Sequence, residues 1–89
     1  MKYVLEYDKR VKKDLKNIEK SRLLYLKSEL ENLAVNPDKN PHIIKLQGNN
    51  PYYRLRLKYD YRVIFTKNDT TLIILIIKIG HRREIYKQL

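Results

Sequence analysis

The chain has 89 residues, with 20 Lys+Arg against 10 Asp+Glu, a formal net charge of +10 and a pI near 9.9. That length holds one domain, residues 1–89. The absence of cysteine rules out a disulfide scaffold and a thiolate metal site, and a reducing, cytoplasmic setting is expected. With 43% hydrophobic and 10% aromatic residues the chain can bury a modest core, which a disordered basic tail cannot do.

Met1-Lys2-Tyr3-Val4-Leu5-Glu6-Tyr7 meets charge too early for the apolar region of a signal peptide. The longest apolar run, Leu72 to Ile77, is too short to span a bilayer, and no membrane association is expected. The positive charge calls for an anionic partner. It is uneven: residues 1–51 carry 11 basic and 7 acidic groups, and residues 52–89 carry 9 and 3. An anion site is therefore expected in the C-terminal half.

In chain order, residues 2–7 read as a strand in which Tyr3, Leu5 and Tyr7 alternate with Lys2, Val4 and Glu6. Asp8 suits a helix N-cap, and Val11, Leu15 and Ile18 mark one face of a short helix otherwise filled by lysine and arginine. A second helix over 20–35 has Leu23, Leu26, Leu30, Leu33 and Ala34 as its stripe and ends before Pro37. Asn36 to Pro41 and Gly48 to Pro51 are turn-rich breaks. Tyr52 to Lys58 alternates, with Tyr53, Leu55 and Leu57 on one side and Arg54, Arg56 and Lys58 on the other. Tyr59-Asp60 is a short turn, Tyr61 to Thr66 a strand, and Asn68-Asp69 another turn. Thr71 to Ile79 is apolar almost throughout, as a central strand covered on both faces would be. Residues 82–88 can form a last helical turn or two. The expected fold is α+β, β-α-α-β-β-β. An N-terminal helical hairpin packs on a mostly antiparallel four-stranded sheet, followed by a short C-terminal helix. The arginines point to a second, partly open face.

Most enzyme signatures are absent. The only glycines are Gly48 and Gly80, so no phosphate-cradling loop exists. His42 and His81 are far apart and lack metal-ligand spacing, and no cofactor or metal is expected. What remains is a basic and aromatic set: Arg54 and Arg56 two apart on a strand, Arg62 just after the hairpin turn, His81-Arg82-Arg83 after the central strand, and Tyr86 four beyond Arg82. Fixed guanidinium groups match phosphate oxygens and stabilise the added negative charge of a pentacoordinate phosphorus. A histidine moves protons near neutral pH. RNA carries its own nucleophile in the 2′-OH. The same residues also fit a bland reading, in which the arginines and Lys58 form the solvated face of an edge strand, His81 is polar surface and Tyr86 is a packing residue.

Lys45-Leu46-Gln47-Gly48, Tyr53-Arg54-Leu55-Arg56, Asp60-Tyr61-Arg62-Val63-Ile64-Phe65 and Gly80-His81-Arg82-Arg83-Glu84-Ile85-Tyr86, in this order and spacing, resemble the RelE/ParE toxin superfamily, RelE-like branch. The likeness covers nearly the whole chain. It implies the toxin of a type II toxin–antitoxin pair that enters the 70S ribosome and cuts mRNA in the A site without metal. Arg54, Arg56 and Arg62 would stabilise the transition state. Arg82 or His81 would serve as the acid, and Tyr86 as base or substrate-orienting group. Lys45, Lys58, Arg83 and Lys87 are expected to bind RNA. A departure is that RelE itself has lysines where Arg54 and Arg56 stand. The alternatives are a ParE-like inhibitor of DNA gyrase and a non-catalytic binding module. In each case a small, acidic, RelB-like antitoxin is the expected partner.

Overall fold

The computed structural model describes residues 2–86. Strand β1 (Val4–Tyr7) ends at Asp8, whose extended backbone and Oδ1, accepting the Arg10 N–H at 2.9 Å, start helix α1 (Lys9–Lys16). Helix α2 (Lys20–Val35) has no side-chain cap at Glu19 and depends on packing. It buries Leu26, Leu30, Leu33 and Ala34, while Leu24, off the stripe, is 76% exposed. Each buried leucine contributes roughly 1.5–3 kcal/mol. Pro37 opens a 3₁₀ turn, Pro37–Lys39, that ends the helical part.

The sheet has five strands in the order β1-β5-β4-β3-β2, with β2 Ile43–Lys45, β3 Tyr53–Arg56, β4 Tyr61–Asn68 and β5 Ile73–His81. The expectation of four strands is corrected by β2. Three residues are too few to show alternation, and β2 exists only as the edge partner of β3, Ile43 opposite Leu55 and Lys45 opposite Tyr53. β3 is shorter than the expected 52–58, because Leu57 already belongs to the hairpin turn, its N–H donating to the Tyr61 carbonyl at 2.9 Å. β5 lies inside the sheet, parallel to β1 and antiparallel to β4, and the central position expected for it is taken by β4.

The helices cover one face of the sheet. Val11, Leu26, Leu30 and Leu33 meet Leu55, Val63, Phe65, Ile74, Ile76 and Ile79 there. A register shift between Ile64 and Phe65 moves their partners from Lys78 to Ile76. Such a bulge breaks strict alternation. Ile74, Ile76 and Ile79 all reach the helix-side core, while Ile77 turns to the other face. That other face is less open than expected. Ile64, Ile77 and Ile85 are buried together on it, flanked by Leu46, Tyr52 and Leu75.

The helix expected over 82–88 is also corrected. As far as Tyr86 the chain makes turns, with the His81 carbonyl accepting the N–H groups of Glu84 and Ile85, both at 2.9 Å. Burial of Ile85 is what seats this turn on the sheet. Lys87 lies outside the described residues.

Candidate functional site

The β3–β4 ladder creates the cationic face. Arg54 stands opposite Ile64, Leu55 opposite Val63 and Arg56 opposite Arg62. Because side chains alternate, Leu55 and Val63 enter the helix-side core, and Arg54, Arg56 and Arg62 emerge together on the other side. Arg56 and Arg62 are direct cross-strand neighbours and Arg54 is diagonal to Arg62, an arrangement in which like charges repel.

Arg62 is nonetheless buried, at 9% exposure. Burial first, then the charge of Arg54, pushes its guanidinium below the ordinary arginine value; Arg56 adds to the push, while Tyr86 and Asp60 act in the other direction. Its Nη1 donates to the carbonyl of the adjacent Tyr61 at 3.1 Å. The Nε of Arg54 is buried with no hydrogen-bond partner. Among the described residues no carboxylate forms an ion pair with any of the three, whereas Arg10 pairs with Asp8 and Lys67 with Asp38 and Asp69. Leaving one buried polar group unsatisfied costs about 1–3 kcal/mol, and more when it is charged. A buried Arg62, an Arg54 with an unbonded Nε and an exposed Arg56 on one face form a site suited to an anion.

The hairpin turn Lys58–Asp60 joins the two arginine-bearing strands. Tyr59 (φ 64°) and Asp60 (φ 62°) both lie in the left-handed region, which costs on the order of 1–2 kcal/mol for a residue with a side chain. The Asp60 carbonyl accepts the backbone N–H of Arg82 at 2.8 Å, so the turn holds the start of the tail. Arg82 thereby joins Arg56 and Arg62 in the wall of a cleft of about 540 Å³. Lys58 also lines that cleft, its backbone N–H donating to the Tyr25 hydroxyl at 2.9 Å. The phenol of Tyr86, 44% exposed, is close enough to influence Arg62.

Other expected residues are not brought there. His81 pairs with Tyr61, whereas Arg62 pairs with Gly80, so His81 stands one step out of phase with Arg62. Its ring lies edge-on to Tyr61, 5.1 Å between centroids, in a separate cleft with Asp14, Asn17 and Glu84. Lys45 is occupied in the β2–β3 loop: its Nζ donates to the Asn50 carbonyl and lies 5.4 Å from the Tyr53 ring. Arg83 is exposed and does not line the Arg56–Arg62–Arg82 cleft. Among the described residues no three His, Asp or Glu side chains gather where they could hold a metal ion.

Sequence reasoning missed part of the cleft wall. Tyr25 and Glu29 of α2, Asn40 and His42 of the loop before β2, and Tyr59 all line it. Tyr25 and Glu29 are four apart on one helix face, and that spacing was the available signal. Nothing in the sequence ties His42 to it; the tie is the Arg56 N–H donating to the His42 carbonyl at 3.1 Å.

A short helical hairpin covers a mixed five-stranded sheet, and three arginines without carboxylate partners among the described residues lie opposite the helices. Residues 5–86 match the family described as the ParE toxin of the type II toxin–antitoxin system, parDE, and the chain belongs to that family, in the RelE-like branch of the RelE/ParE superfamily. The Methanocaldococcus jannaschii protein RelE1 is 37% identical over 90 residues, covering 98% of both chains. The archaeal RelE–RelB complex of Pyrococcus horikoshii superposes with a TM-score of 0.65 at 35% identity, over 94% of this chain and 99% of that one. The intact E. coli RelBE toxin–antitoxin complex shares the fold, with a TM-score of 0.73 at 24% identity over 89% of this chain and 95% of that one.

Proposed function

We propose that this chain is the toxin of a type II toxin–antitoxin pair and acts as a ribosome-dependent endoribonuclease on mRNA in the A site. The observation that carries the proposal is the cluster Arg54, Arg56 and Arg62, without carboxylate partners among the described residues and with the Arg54 Nε buried and unbonded. Such a cluster is complementary to a phosphodiester, and more so to a phosphorus carrying additional charge.

In the proposed reaction the RNA 2′-OH gives up its proton and its oxygen bonds to the adjacent phosphorus. The bond from phosphorus to the 5′-oxygen breaks, and that oxygen takes a proton. The products are a 2′,3′-cyclic phosphate and a 5′-hydroxyl. Arg54, Arg56 and Arg62 hold the non-bridging oxygens. Tyr86 orients the 2′-OH or accepts its proton, and Arg82, fixed by the Asp60 carbonyl, faces the departing oxygen. His81, turned against Tyr61, is left out of this chemistry. Lys58 at the cleft rim is assigned to RNA phosphates, as are Arg83 and Lys87; Lys45, held in its loop, contributes at most at long range.

An acidic antitoxin is the proposed protein partner. RelE relatives are solved together with RelB, and a net charge of +10 favours such a segment. The test is mRNA cleavage on ribosomes paused at a defined codon, read by primer extension, with Arg62→Ala and Arg82→Ala beside the parent. Cuts by the parent and none by the variants support the reading; undiminished cuts by both variants overturn it. The family description as a ParE toxin motivates the second reading, a gyrase inhibitor, which predicts stalled, cleaved DNA in a supercoiling assay and intact mRNA.

A further inference from the structure

The turn between the arginine strands is strained where a protein would ordinarily place glycine or asparagine. Tyr59, at φ 64° and ψ 27°, is a bulky residue in the left-handed region, and Asp60 follows it there. Such conformations persist only when surrounding contacts enforce them. Here the ring contacts of Tyr59 come from α2. The guanidinium carbon of Arg22 lies 3.5 Å from the centroid of the Tyr59 ring. Tyr25 meets the same ring edge-on, at 5.6 Å and 83°. The Tyr25 hydroxyl also accepts the backbone N–H of Lys58 at 2.9 Å. A half-exposed tyrosine is thus gripped on two sides, and the backbone beneath it is tied down as well.

The grip is placed where it governs the site. Arg56 and Arg62 lie on either side of this turn in direct register, and the Asp60 carbonyl is the acceptor that fixes the Arg82 N–H. The loop conformation therefore sets three of the cleft's arginines relative to one another. We infer that Tyr59 is a positioning residue, clamped by Arg22 and Tyr25, that holds the hairpin in its strained form so that Arg56, Arg62 and Arg82 converge on one phosphate. This inference rests on the nuclease reading for its catalytic consequence and on the loop geometry alone for its structural one.

Two readouts separate the two. Glycine at position 59 accepts a left-handed backbone without strain, so Tyr59→Gly removes the clamp without forcing the turn to unfold. Amide hydrogen exchange at Arg82 is measured in the parent, Tyr59→Gly, Tyr59→Phe and Arg22→Gln, together with Tm. Faster exchange at Arg82 in Tyr59→Gly and Arg22→Gln, with core amides and Tm near the parent's, is expected. Unchanged Arg82 exchange in both overturns the clamp, whatever the activity. On paused ribosomes, Tyr59→Gly is expected to lower kcat roughly 10- to 100-fold with KM little changed, and Tyr59→Phe, which keeps the ring, to restore the parent rate. Parent-like kcat in Tyr59→Gly, or a loss that only follows Tm and is not rescued by phenylalanine, overturns the positioning role. A parent that cuts no mRNA overturns the nuclease reading and with it the catalytic consequence, while the exchange data still decide the clamp.

Discussion

Strand β4 ends in two cationic neighbourhoods that the protein treats in opposite ways. Near its C-terminal end, the Lys67 Nζ is held between Asp38 at 2.9 Å and Asp69 at 2.8 Å, and Asp69 also accepts the Tyr3 hydroxyl at 2.6 Å. The ammonium lies over the rings of Tyr3 and Tyr53, each 5.8 Å away. Those contacts tie the residue before β1, the 3₁₀ turn after α2 and the β4–β5 turn to one point. Near its N-terminal end, Arg62 has two other arginines as neighbours and no ion-pair partner among the described residues. A cation whose hydrogen bonds are filled by the fold contributes to stability. One buried beside like charges with no carboxylate partner costs stability and is available to an anionic ligand.

Substitutions at the two ends should therefore differ in kind. The largest effect is expected for Arg62→Met, which should lower cleavage on paused ribosomes by roughly 10²-fold or more. It should also raise Tm, because a buried, repelled charge is replaced by an apolar side chain of similar length. Loss of cleavage accompanied by a lower Tm would break the contrast. Next is Ile85→Ala, which removes the fully buried side chain that seats the tail. It should cost about 2 kcal/mol in denaturant unfolding and reduce cleavage, since Arg82 and Tyr86 flank it. Full activity with that loss of stability would show that the tail contributes nothing to the site.

At the opposite end, Lys67→Met should lower Tm by a few degrees and leave cleavage per folded molecule unchanged. A cleavage defect there would mean that the two ends are coupled. The smallest effect is the pH dependence. Hydrogen bonds from Lys67 and Tyr3 lower the Asp69 carboxyl below its ordinary 3.8. Its contribution is therefore present above 3.8 and lost as pH falls through the depressed folded value. Bonds to Asp69 and Asp38 raise Lys67 above 10.5, so its contribution is full below 10.5 and lost as pH rises through the raised folded value. Thermal unfolding across pH should show both flanks, and Asp69→Asn should flatten the acid one.

What the sequence made legible follows from periodicity. Leu26, Leu30 and Leu33 announce α2, and the alternation of Tyr53, Leu55 and Leu57 with Arg54, Arg56 and Lys58 announces a two-faced strand. A short turn at Tyr59-Asp60 brings Arg62 near Arg56, and the three-residue turn Lys58–Asp60, closed by Leu57 and Tyr61, sets the two directly opposite. The rest depends on contacts between distant segments. β2 is too short to carry a pattern. The bulge at Ile64/Phe65 changes which β5 residues face the helices, and that register decides that His81 meets Tyr61. Ile85 is a single apolar residue in a charged tail, so its role as an anchor has no periodic signature. The resemblance to RelE-like toxins supplied the expected residue roles, and Arg82 lies inside the arginine cleft whereas His81 lies outside it.

Strand β5 is five residues longer than its parallel partner on one side, since β1 reaches only to Ile76. Past that point its outer edge has no strand to bond. The Asp14 carboxylate of α1 accepts the Ile79 N–H at 3.0 Å, filling a position that a strand from another molecule would otherwise occupy. One helical side chain thus works as a stopper against edge-to-edge growth. The strand that leads directly into the tail thereby offers no free Ile79 N–H to an incoming edge.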